Sequence, residues 1–128
     1  MNGEIDWRYW AGLFDGEGCV GVYFATDKPR NMPVLRVSIS NTCKEILDVA
    51  ADIFRGSVSQ NSNPKPCFLF QLASRQAESF LNGILPFSFV KKNRIEECLA
   101  EYNSYIKYSG RKYGIPIKKY NKLVEEEG

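Results

Sequence analysis

Along the first third of the chain the apolar positions change their period twice. Trp7, Trp10, Ala11 and Phe14 fall at i, i+3, i+4 and i+7, the stripe of an amphipathic helix, and Gly16 and Gly18 are expected to stop it. From Cys19 the period becomes two. Val20, Val22 and Phe24 share one face, and Cys19, Gly21, Tyr23 and Ala25 the other, which predicts a strand. Beyond a turn between Pro29 and Pro33 the alternation returns over 34–41, with Leu35, Val37 and Ile39 inward and Arg36, Ser38 and Ser40 outward, closing a hairpin. Thr42 with Glu45 reads as the capping box of a second helix carried by Ile46, Val49, Ala50, Ile53 and Phe54. A second hairpin is expected from 57–61 and 67–73, joined by an Asn-, Ser- and Pro-rich loop. Residues 74–82 read as a third helix ended by Gly83, and 91–106 as a fourth with Ile95, Cys98, Leu99 and Tyr102 on one side. Pro116 is placed to open a short last helix reaching Val124.

This order predicts an α+β fold of the type αββαββα: one four-stranded antiparallel, saddle-shaped sheet with helices packed on one face. The opposite face is unusually rich in hydrogen-bonding side chains: Tyr23, Arg36, Ser38, Ser40, Ser57, Ser59, Asn61 and Gln71, joined at the loops by Lys28, Arg30 and Lys65. Two readings stay open on this pattern. The face is either simply solvated, as antiparallel sheets allow, or it binds nucleic acid, its side chains meeting base edges in a groove while loop cations meet phosphates.

Composition narrows the chemistry. A chain of 128 residues, 44% hydrophobic and 25% charged, fits a single domain that folds without staples, and lies far from the disordered class. The net charge of +2 hides a sorted chain: six cations and no acid between Lys107 and Lys122, then Glu125, Glu126 and Glu127. Residues 107–128 thus read as a basic, then acidic, C-terminal extension of the domain. The absence of histidine removes His-based triads and histidine-ligated zinc, leaving carboxylates, lysines, amides and metals for any catalysis. Cys19, Cys43, Cys67 and Cys98 are too far apart for a zinc-ligand pattern. With no leader and no long apolar run, the expectation is a soluble, intracellular chain with no membrane partner. The stretch Gly16–Gly21 satisfies G-x-G-x-x-G, but it follows a helix and opens a strand. A dinucleotide fingerprint needs the reverse order, so no nucleotide cofactor is expected.

Residues 10–18, Trp-Ala-Gly-Leu-Phe-Asp-Gly-Glu-Gly, resemble the nine-residue signature of the LAGLIDADG homing endonucleases, with identity at Ala11, Gly12, Leu13, Asp15 and Gly18. The motif ends a first helix and precedes two α-β-β units, so the resemblance spans about residues 5–106. It implies a site-specific double-strand DNA endonuclease that hydrolyses phosphodiesters with magnesium or manganese. A single motif implies a homodimer pairing these helices through Trp10, Ala11, Gly12, Leu13 and Asp15, and hence a roughly palindromic target. The same resemblance assigns the metal-binding acid to Glu17, with the Gly16 carbonyl as a neighbouring ligand; glutamate here replaces the family's commoner aspartate. Asn41 aligns with a polar residue that orients active-site water, although capping the next helix accounts for it equally well. Lys91 aligns with the basic residue near the scissile phosphate, with Lys92 one register slip away. The DNA-binding set is then Tyr23, Lys28, Arg30, Arg36, Ser38, Ser40, Ser59, Asn61, Lys65 and Gln71. The alternative with the same fold is an intron maturase, with RNA as partner, or a DNA-binding protein that does not cleave.

Overall fold

The computed structural model describes residues 4–25, 32–61 and 66–109. The elements run α1 (Trp7–Glu17), β1 (Gly18–Ala25), β2 (Met32–Asn41), α2 (Lys44–Phe54), β3 (Ser57–Asn61), β4 (Cys67–Ala73), α3 (Ser74–Ile84), a 3-10 turn (Leu85–Phe87) and α4 (Lys92–Ser109). The strands form one antiparallel sheet in the order β1-β2-β4-β3. Val20 pairs with Val37 and Val37 with Leu72, while Ile39 pairs with Phe70 and Phe70 with Val58, so the inward alternation of each strand falls in common rows. The helices cover that face. Leu35, Val37, Ile39, Phe70 and Leu72 are buried against Phe14, Leu47, Phe80, Ile84, Ile95 and Cys98. This is the α+β architecture expected from the two changes of period.

Aromatic rings fasten α1, α2 and α3 to one another. Phe54 lies 4.9 Å from Phe80 and 5.3 Å from Trp10, and Phe14 lies 5.9 Å from Phe80, each pair edge to face. That geometry is worth about 0.5–1.5 kcal/mol per pair beyond simple burial.

Several boundaries differ from the sequence reading. Gly83 does not end α3 but lies inside it. The Trp7 ring rests against its Cα, and a Cβ there would come within 2.3 Å of two ring carbons, so this glycine gives access to a ring rather than terminating a helix. Gly16 likewise remains helical, and Gly18 alone is the C-cap of α1. The Thr42–Glu45 capping box is not formed. The N-cap of α2 is Cys43, whose N–H donates to Asn41 Oδ1 at 2.8 Å, so the residue before the expected box turns the chain. Lys91 is the residue before α4, its carbonyl accepting from Ile95 N at 2.9 Å, and α4 runs on to Ser109. The expected last helix, together with most of the C-terminal extension, lies outside the described residues.

Candidate functional site

The end of α1 is built from three directions. Asp15 reaches across to the segment that leads into α4: its Oδ2 accepts from Phe89 N at 2.8 Å and its Oδ1 from Lys91 N at 3.1 Å. Amides at a helix start have no intrahelical acceptor, so a carboxylate brought there both satisfies them and complements the positive helix end. In return Lys91 Nζ donates to the Asp15 carbonyl at 2.6 Å, where the last carbonyls of α1 lack intrahelical partners. The two residues therefore clasp one helix C-terminus to one helix N-terminus. Lys91 is half-buried by this, whereas Lys92 is exposed on α4. Of the two candidate lysines, it is Lys91 whose ammonium is drawn to the motif.

Glu17 and Gly16 are exposed at that same end. Gly18, next after Glu17, pairs with Ile39, and Asn41 lies two residues further along β2, so Asn41 and Glu17 occupy one end of the β1–β2 pair. The Asn41 side-chain oxygen is engaged by Cys43 N, which leaves its NH₂ as the group free to point elsewhere. The donor set suits a hard divalent cation: a solvent-facing carboxylate beside the exposed backbone of Gly16. Among the described residues no group of three or more Cys, Asp or Glu gathers as a metal site. The oxygen donors that one chain presents here are thus the Glu17 carboxylate and the Gly16 backbone.

Of the residues expected at a helix-pairing surface, the monomer itself uses several. Trp10 and Ala11 are buried in the chain's own core, Ala11 at 0% exposure. Ala11, expected among the helix-pairing residues, therefore faces inward; the small side chain lets α1 pack against its own sheet layer. The Asp15 carboxylate is taken by donors of its own chain, not left for a partner's helix. Gly12 and Gly16 do face outward, and a Cβ at either would meet nothing within 4 Å; Leu13 is half-buried. Beside them stand two apolar residues that the sequence reading passed over: Phe89 is 89% exposed and Val90 74%. The signal was present in Pro-Phe-Ser-Phe-Val-Lys, an apolar cluster ahead of a polar helix with no period that would bury it.

On the sheet, Tyr23, Arg36, Ser40, Ser59 and Asn61 are exposed and Ser38 and Gln71 half-buried. The register sets Cys19, Ser38, Gln71 and Ser57 in one row across all four strands, and Ser40, Leu69 and Ser59 in the next. The Arg36 guanidinium lies 5.5 Å from the centre of the Tyr23 ring, a cation–π contact that restrains it on this face. Lys28, Arg30 and Lys65 lie outside the described residues. No described helix is long and apolar enough to cross a membrane.

No family model matches the chain, and no curated protein matches it by sequence. Its fold, however, has many solved counterparts. The homing endonuclease I-CvuI, in complex with its target in the presence of calcium, aligns over 94% of this chain and 92% of its own, with a TM-score of 0.69 at 13% identity. The archaeal intron-encoded homing endonuclease I-Vdi141I, complexed with DNA, aligns over 79% and 69%, with a TM-score of 0.62 at 21% identity. The LAGLIDADG homing endonuclease I-GzeII, in complex with its DNA target, aligns over 90% of this chain but 41% of its own, with a TM-score of 0.66 at 17% identity. The chain has the LAGLIDADG homing endonuclease fold.

Proposed function

We infer that this protein is a site-specific double-strand DNA endonuclease, working as a homodimer and hydrolysing phosphodiesters with a divalent cation. The observation that carries the reading is the convergence at the end of α1: an exposed Glu17, a Lys91 ammonium held 2.6 Å from the Asp15 carbonyl, and Asn41 at the adjoining sheet end. A surface that only binds DNA gains nothing from an exposed carboxylate beside it.

Glu17 and the Gly16 carbonyl are the residues that would hold magnesium or manganese. The chemistry such a cation would supply is a lowered pKa for an attacking water and stabilisation of the leaving 3′ oxygen. The chain's own contribution is positional. Asp15 fixes the end of α1 against the start of α4, Lys91 brings a positive charge toward the scissile phosphate, and the Asn41 amide orients water. Gly12, Gly16, Phe89 and Val90 supply the open surface for a second copy, whose Glu17 completes the centre. The polar sheet face contacts the DNA through Tyr23, Arg36, Ser38, Ser40, Ser59, Asn61 and Gln71, with Lys28, Arg30 and Lys65 at the loops on phosphates.

Incubation of the protein with a random-site plasmid library and magnesium, followed by sequencing of the ends, tests this directly. Linear products that share a roughly two-fold symmetric site and vanish with Glu17→Gln are expected. Unchanged cutting by Glu17→Gln, or tight RNA binding with no metal-dependent cutting of any DNA, would overturn it.

A further inference from the structure

Far from the Glu17 end, a cleft of about 390 Å³ opens where α2, β3, β4 and α3 meet, lined by Arg36, Arg55, Ser57, Gln71 and Gln76 over Gly56. Arg36 of β2 and Arg55 at the end of α2 both line it, and no carboxylate does. The Arg55 N–H closes α2 onto the Ala51 carbonyl at 2.8 Å, while its guanidinium has no hydrogen bond or ion pair among the described residues. Gly56 sets the depth: a Cβ there would lie 2.2 Å from the Gln71 carbonyl, so its absence lets the α2–β3 turn sit directly on β4. Gln76 lies in the first turn of α3, whose N-terminus carries no side-chain cap, so free amides add to the positive character of the cleft.

The backbone here is held at a cost. Arg55 at φ 71° and Ser74 at φ 53° are the non-glycine residues at positive φ among the described residues, and Arg55 lines this cleft. Arg55 caps α2 in the left-handed conformation that glycine adopts without strain. An arginine at such a position carries a steric penalty that glycine would not.

We propose that this cleft seats a backbone phosphate of the bound DNA, held by Arg36 and Arg55 with the Ser57 hydroxyl, the Gln76 amide and the α3 N-terminus. Arg36 faces Ala73, five residues further along β4 than the Phe68 that pairs with Asn41. That places the seat about 17 Å from the active end, near half a turn of B-form DNA. The seat positions the duplex and does not read sequence. This inference rests on the reading of the chain as a DNA-binding protein.

Arg55→Gly separates the side chain from the fold, because glycine suits φ 71°. Its thermal midpoint is expected to be no lower than that of the wild type. Binding of a random-sequence duplex, followed by fluorescence anisotropy as NaCl is varied, should show a log-affinity against log-salt slope shallower by about one in this variant. Arg36→Gln should lower the slope by a similar step. An unchanged slope in a folded Arg55→Gly overturns the seat while leaving the wider reading intact. Failure of the wild type to bind any duplex at low salt overturns both. Stabilisation of the wild type but not the variant by inorganic phosphate, with equal DNA slopes, makes it a free-anion site and overturns the DNA role.

Discussion

Helix α1 has two sides of opposite character. One carries Trp10, Ala11 and Phe14, all buried, with Phe14 at 0% exposure against Phe80. The other carries Gly12 and Gly16, where an added Cβ meets open space, beside exposed Phe89 and Val90. A helix needs only one apolar side to join a core. Glycine in a helix interior costs about 1 kcal/mol relative to alanine, so two outward glycines weaken this helix with no return from the monomer. The inner side specifies the fold, and the outer side is the one the proposed homodimer would use.

Substitutions on the two sides should therefore separate stability from association. The largest effect is expected on the inner side: Phe14→Ala should cost about 3–5 kcal/mol, read by urea unfolding, through a cavity that Phe80 cannot fill. On the outer side, Gly12→Leu should leave unfolding of the monomer unchanged or slightly improved. It should weaken self-association by about 1–3 kcal/mol, measured by sedimentation equilibrium, because the added side chain holds two helices apart. A Gly12→Leu variant that unfolds early and still dimerises would reverse the assignment of the two sides.

Between them lies Asp15. Asp15→Asn keeps one acceptor and loses the charge, so about 1 kcal/mol of stability is expected to go, with cleavage falling more than dimerisation. The smallest effect concerns Cys98 on α4, buried in the same core. Burial holds its thiol above the ordinary value of 9.0, with nearby Arg94 pulling the other way. The unfolded chain gives up this proton first, so the contribution to stability is intact below pH 9 and is lost as pH rises through the folded thiol's higher pKa. Cys98→Ala should flatten the alkaline limb of the stability profile. In the native protein at pH 8, iodoacetamide should modify exposed Cys19 and Cys43 and spare Cys98.

The architecture was legible because strands and helices with one buried face leave periods of two and 3.6 in the chain. What was not legible depended on who meets whom. Gly83 looks like a helix stop until Trp7, 76 residues earlier, is seen lying on it. Thr42 and Glu45 have the spacing of a capping box, but the Asn41 side chain turns the chain one residue later. Ala11 and Gly12 look alike as small residues, yet only the packed helix shows that one faces inward and the other outward. Glu17, Lys91 and Asn41 were singled out only by what the family resemblance implies, not by any local pattern. Arg55 carried no local signal, because its backbone conformation becomes visible only in three dimensions.

The Asp15 clasp also sets an order of events in biosynthesis. Its two amide partners lie 74 and 76 residues downstream. During translation the motif leaves the ribosome well before the lysine that joins it, which follows 76 residues later. Such a long closure forms late, so a nascent or prematurely stopped chain carries the acid without its anchor. Assembly of the proposed centre is thereby tied to synthesis of the chain past Lys91.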